Sequence, residues 1–405
     1  MIVVEVLRLI AALVLIVMTV ELISRARLKH RARYYVFPPG LRLRIHPDRE
    51  VFPKHPHTLN FVINSEGERG DEPPTSTEGL FRVLVAGGSQ PEGYFLDQDT
   101  TWPAVVQRRL RRSDRLATLG ASRVHVGAIA RSGVGSEGLD VILSRILPQY
   151  PRLQLVIIMV GATDVLRWIE LGTPDVFPPI VVSDVFQCHP EGPFGWTPQS
   201  LAMTEMIRRA RRRWLRPVNV DDHAGRWIGR ARRMRARATT VRTVIRDPEP
   251  MLDHFEHHFR RLLLSAKAHA DRVLVVRQPW FDKVCSRDEA ASMWHGGVGQ
   301  AWREEVTTYY SLEVFPQLMG ALDARAAAVA REVDVEQVDL MPVLEQTLRT
   351  CYDGLHVTIR GARQVADAVT AAILHEEQPR RDTPGRHVVV GQDEPSSTRE
   401  ELRAS

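Results

Sequence analysis

The sequence predicts an α/β protein of three layers, with helices on both faces of a mostly parallel five-stranded sheet and a transmembrane helix at the N-terminus. Three observations predict it. Short, continuous apolar runs such as Val83-Leu84-Val85 and residues 155–160 (LVIIMV) alternate with longer amphipathic stretches. Runs of that kind are strands buried on both faces, which parallel sheets covered by helices require. Each run breaks into glycine or a small polar residue, as a strand-to-helix turn does.

Composition sets the bounds. The chain has 405 residues, of which 44% are hydrophobic and 25% charged, enough for one large α/β domain with additions. The net charge of +5 is mild, from 54 basic and 49 acidic residues. Cys188, Cys285 and Cys351 are far apart and form no CxxC or metal-type pattern, so no structural zinc and at most one disulfide are expected.

Residues 2–23 are nearly all apolar, and as a helix they span about 33 Å, enough to cross a bilayer. A cleavable signal peptide is the rival reading, but no Ala-x-Ala-like site follows the apolar run. Residues 1–24 are therefore expected to be an uncleaved, single-pass anchor. Arg25, Arg27, Lys29, Arg31 and Arg33 follow it, a bias that would leave the rest of the chain in the cytoplasm. Residues 25–74 read as a juxtamembrane lead-in, with an edge strand at Phe61-Val62-Ile63 before the turn signal Asn64-Ser65-Glu66-Gly67.

The α/β domain is expected over residues 75–375. Its first strand ends at Gly87-Gly88-Ser89, and a helix follows at 102–110. The second strand is at 124–130, with a helix at 137–147. The third is at 155–160. The fourth, at 272–276, follows a helix at 251–270. The fifth, at 333–340, follows an Ala-rich helix at 303–331, and a last helix runs over 359–374. Between the third and fourth strands lies an insertion at 169–250. From Arg208 to Arg246 it carries fourteen arginines against only Asp221 and Asp222. So dense a cationic segment suits an anionic membrane surface or an acidic polymer, with Trp214 and Trp227 at the interface. A solvated excursion without a ligand is the plain alternative. No recognised nucleic-acid motif accompanies the charge, so nucleic acid is not an expected partner. Residues 376–405, rich in Pro, Ser, Arg and Glu, are expected to be disordered.

A hydroxyl nucleophile needs a base, a carboxylate behind the base, and donors for the developing oxyanion. In parallel sheets these gather at the carboxyl ends of the strands. Ser89 follows the first strand, Gly133 the second, and Gly161-Ala162-Thr163-Asp164 the third. Asp353 and His356 follow the fifth, three residues apart, a spacing that lets the carboxylate orient the imidazole. Taken singly each has a bland reading: a helix cap for Ser89 and Asp164, a surface loop for His356.

Together, Gly87-Gly88-Ser89, Ser132-Gly133, Gly161-Ala162-Thr163-Asp164 and Asp353-Gly354-Leu355-His356 resemble the four blocks of the SGNH (GDSL-like) hydrolases. The segment at 64–70 (NSEGERG) resembles the lead-in of membrane-anchored members. The resemblance covers residues 60–165 and 270–375 and implies a flavodoxin-like sheet. It implies Ser89 as nucleophile, His356 as base and Asp353 as its orienting acid. The oxyanion donors would be the N–H groups of Ser89 and Gly133 and the side chain of Thr163. Thr163 stands where the family has Asn, and losing one such donor costs about 3 to 4 kcal/mol. The implied activity is a membrane-anchored serine esterase acting on an O-acyl, acetyl-like ester of a carbohydrate or lipid, with no cofactor. An O-acyltransferase of surface polysaccharide and a degenerate, non-catalytic binding protein are the alternatives. The family would place the domain outside the cytoplasm, against the charge bias.

Two further features stand out. His254, His257 and His258 fall at i, i+3 and i+4 on one helix, and with no carboxylate pattern beside them they read as a helix face. His295, in a loop after the fourth strand, is expected to line the cleft.

Overall fold

A computed structural model describes residues 2–31, 33–189, 201–214 and 217–376. The tail expected to be disordered lies outside them but for Glu376, as does the side chain of Trp214.

The apolar runs form a five-stranded sheet of β1 (Leu80–Gly87), β2 (Arg123–Ala130), β3 (Leu153–Met159), β4 (Ala270–Arg277) and β5 (Glu336–Asp339). All pairings are parallel and the order is β2-β1-β3-β4-β5. This is the flavodoxin-like order, and its direction reverses at β1, where ligand crevices open beyond the strand ends. Gly87 is level with Ala130 on one side and Met159 on the other, so three loops leave the sheet at one rim.

Alternating side chains on each strand feed two cores. On one face Leu84, Ala86, Val156 and Ile158 pack with α3 (Ser136–Ile146), α7 (Glu249–His269) and α8 (Val314–Glu332). On the other face Val83, Val85, Leu155 and Ile157 pack with α2 (Trp102–Arg112) and α9 (Ile359–Ile373). Thr101 caps α2 and Thr358 caps α9 through their hydroxyls.

The lead-in and the insertion meet. Arg42–His46 pairs antiparallel with Leu59–Val62 and parallel with Val218–Asp221, making a separate three-stranded sheet. Between β3 and β4 the chain also forms α4 (Ala162–Glu170), α5 (Ala202–Trp214) and α6 (His223–Ala236). The N-terminal helix α1 (Ile2–Arg31) leaves its apolar side chains exposed. Its Glu21 carboxylate accepts the N–H groups of Ala202 and Met203, at the start of α5.

One element differs from expectation. The Ala-rich helix starts at Val314, not 303, because Thr308–Tyr310 is a strand pairing with Thr240–Arg242. Its β-branched and aromatic residues favour that over a helix.

Candidate active site

β1 delivers Ser89 as the first residue of a single helical turn, Ser89–Glu92. Gly87 is required just before it: a Cβ there would lie 2.1 Å from the Met159 carbonyl oxygen. Gly93 closes the turn with φ of 59°, its N–H donating to the Ser89 carbonyl at 2.9 Å. Arg69, fully buried, donates to the carbonyls of Glu92, Gly93 and Leu96 and so fixes the turn from behind. The NSEGERG segment thereby reaches the nucleophile's support.

Glu92 links this turn to the loop after β2. Its carboxylate accepts both the N–H and the hydroxyl of Ser132. Burial pushes the Glu92 carboxyl up, and the Ser132 hydrogen bonds and Arg69 only partly oppose this. Gly133, next in the chain, has φ of 79° and open space where a Cβ would be. Among the hydrogen bonds of the described residues, none uses the N–H of Ser89 or Gly133. Both residues line the same cleft as Thr163. The Thr163 hydroxyl faces the nucleophile's turn, 3.7 Å from where a Cβ on Gly88 would stand.

The sequence places Asp164 as a cap for the helix that follows it. It caps another: its carboxylate accepts the N–H and hydroxyl of Ser136, the first residue of α3. The loops after β2 and β3 are thus tied together, a contact across 28 residues that chain order conceals.

The loop after β5 brings in the remaining groups. His356 Nε2 lies 2.8 Å from Ser89 Oγ. His356 Nδ1 lies 3.0 and 2.8 Å from the two carboxylate oxygens of Asp353. Asp353 is fully buried and also accepts the N–H of His356 at 2.8 Å and the indole N–H of Trp294 at 2.6 Å. Burial alone would push its carboxyl up, but His356 and the Trp294 hydrogen bond outweigh that and hold it below the usual range. The Tyr352 ring lies nearly parallel to the imidazole, with centroids 5.4 Å apart, and the Trp294 ring is tilted 20° from it at 6.3 Å.

The insertion supports this loop. Arg232 of α6 donates to the carbonyls of Ser292, Val51 and Tyr352, the last adjoining Asp353. Arg235 donates to His295 and Tyr310. These two arginines bind backbone inside the protein instead of forming a solvated or membrane-facing surface. Trp227, expected at an interface, packs edge-on against Trp294 at 4.7 Å and lines the cleft. His295 does not line it: it is buried behind Trp294 against Phe315. Burial, helped by Arg235, pulls the His295 imidazole down to about 3.

The cleft has a volume of about 700 Å³, within the range of small-molecule sites. Ser89, Gly133, Thr163 and His356 share it with an aromatic wall of Phe37, Tyr94, Phe95, Trp227, Trp302 and Tyr352. Glu170, unnoticed in the sequence, also faces it, and burial raises its carboxyl to about 7.

No family model matches the sequence, and no curated protein matches it either. Solved structures do match the chain. Axe2, an acetylxylan esterase from Geobacillus stearothermophilus, is 15% identical, over 74% of this chain and 96% of its own, with a TM-score of 0.40. A member of the lipolytic G-D-S-L family from Veillonella parvula is 9% identical, over 72% and 96%, with a TM-score of 0.38. A carbohydrate acetylesterase family member from Sinorhizobium meliloti is 14% identical, over 72% and 96%, with a TM-score of 0.37.

Proposed function

We propose that the chain is a serine esterase that hydrolyses an O-acyl, acetyl-like ester of a carbohydrate or lipid. The observation that carries this is the continuous line from Ser89 Oγ through His356 to buried Asp353, opening into the cleft. In the reaction Ser89 Oγ attacks the ester carbonyl while His356 Nε2 takes its proton. The oxyanion is held by the N–H groups of Ser89 and Gly133 and by the Thr163 hydroxyl. His356 returns the proton to the departing alcohol, leaving an acyl group on Ser89. Water, deprotonated by His356, then releases the acid and restores the hydroxyl. Asp353 fixes the tautomer and steadies the imidazolium. The aromatic wall supports a carbohydrate substrate, because indole rings pack against the apolar faces of sugars.

The same acyl-enzyme can pass its group to a sugar hydroxyl, and a cleft of this volume has room for an acceptor beside the acyl group. A transferase would give acylated acceptor, a hydrolase free acid, when both acceptor and water are present.

Membrane anchoring through α1 belongs to this reading. The Glu21 contacts with α5 support an uncleaved helix, since removing it would strip the cap from α5.

The test uses the full chain in detergent. A fluorophosphonate should label it, and Ser89→Ala should abolish both labelling and hydrolysis of an activated acetyl ester. Equal labelling of the variant, or none of the wild type, refutes the esterase reading and favours a binding protein.

A further inference from the structure

On the outer side of the helical layer, α3 and α7 bring two histidines and two carboxylates together. His254 and His258 stand one turn apart on α7, a spacing that places two imidazoles on one face for a metal. The carboxylates that the local sequence lacks come from α3, more than a hundred residues earlier. One nitrogen from each histidine and one oxygen of Glu137 all lie within 4.8 Å of one another. Glu137 Oε2 is 3.5 Å from His254 Nε2. Donors around a tetrahedral zinc, with bonds of about 2.0 to 2.1 Å, are about 3.3 to 3.5 Å apart, so this pair is already at metal spacing.

The surroundings hold the donors in place. The Ile180 N–H donates to Glu137 Oε1 at 2.8 Å, while Oε2 faces His254 and also accepts an Arg167 N–H at 3.2 Å. Phe177 stacks on His254 at 4.3 Å. Asp140 Oδ2 lies 3.0 Å from His258 Nδ1. A carboxylate behind one imidazole nitrogen frees the other as an electron-pair donor, the usual support of a metal-bound histidine. Two arginines compete: Arg261 pairs with Asp140 at 2.8 Å and Arg167 with Glu137 at 3.2 Å. Neither touches the histidines in these contacts, and Arg167 also has the Pro178 carbonyl to bind.

We propose that Glu137, His254 and His258 form a binding site for a divalent metal ion of the Zn²⁺ type, completed by water and supported by Asp140. Two nitrogens and one carboxylate oxygen are a zinc donor set, and the site bolts α3 to α7. It lies outside the cleft and takes no part in the proposed ester chemistry.

The test is equilibrium dialysis of the detergent-solubilised full chain against Zn²⁺, with visible spectroscopy during a Co²⁺ titration. One Zn²⁺ per chain is expected, with the intense visible absorption of four-coordinate Co²⁺ and a rise in Tm that a chelator reverses. The near-isosteric His254→Gln and His258→Gln should each lose the metal, and Asp140→Asn should weaken Zn²⁺ binding 10- to 100-fold. Absence of the Co²⁺ band in the wild type overturns the proposal without any variant. Undiminished stoichiometric binding in both histidine variants overturns it too, and would leave two interhelical His–carboxylate pairs.

Discussion

Thr163 carries a hydroxyl into the corner where the family resemblance expects a carboxamide. A hydroxyl on Cβ reaches less far than an amide nitrogen, and this one stands 3.7 Å from where a Cβ on Gly88 would be, beside the nucleophile's turn. Thr163→Val keeps the shape and removes the donor. It should lower kcat about 100- to 1,000-fold with little change in KM, the signature of a contact made only in the transition state. An unchanged kcat would take Thr163 out of the oxyanion site. Ser89, Gly133 and Thr163 could be picked out because each stands at or near the exit of an apolar strand, and Asp353 and His356 because they stand three residues apart. Their supports could not. The Trp294 indole meets Asp353 across 59 residues and Arg69 meets the Ser89 turn across 23 to 27, and no local pattern encodes such pairings.

At the scale of elements, α6 shows how an insertion becomes part of a site. Arg232 spreads one guanidinium over three carbonyls on three separate segments. Lysine keeps the charge but not the planar fork, so Arg232→Lys should not substitute for it. Hydrogen bonds from a charged donor contribute about 1.5 to 3 kcal/mol. Arg232→Lys should therefore lower the unfolding free energy by about 2 kcal/mol in urea and slow ester turnover by loosening the His356 loop. A variant matching the wild type in both would reduce α6 to a bystander. Long apolar strands were legible because both faces are buried, which leaves little room for polar residues. The strands at Val218–Asp221 and Thr240–Arg242 were not, being three or four residues long and paired with distant chain. Composition likewise could not separate Arg232 and Arg235, which bind backbone carbonyls, from Arg208, Arg211, Arg226, Arg230, Arg233, Arg237, Arg242 and Arg246, which are exposed.

For the molecule as a whole, the lead-in is joined to the sheet by a buried ionic network. Glu68 and His125 are fully buried, with Glu68 Oε2 2.8 Å from His125 Nε2 and Oε1 2.9 Å from the Arg82 guanidinium. Burial alone would push the Glu68 carboxyl up, but His125, Arg82 and Asn64 hold it at about 2 against an ordinary 4.5. Between those values the unfolded chain binds a proton that the folded chain refuses. The stability Glu68 contributes is therefore present above about pH 4.5 and lost as the pH falls toward 2. The wild-type urea midpoint should drop steeply across that window. Glu68→Gln should be less stable at pH 7, through the partners it leaves buried, and should show a shallower drop. Equal slopes for the two proteins would remove Glu68 from the acid response. The Glu21 clasp has a consequence of another kind. With α1 inserted, the clasp ties it to α5, and only five residues lie between Arg31 and Phe37 in the cleft wall, a reach of about 20 Å even fully stretched. On the membrane-anchored reading proposed above, the nucleophile would work in a thin stratum above the lipid, which favours substrates embedded in, growing from or pressed against that same surface.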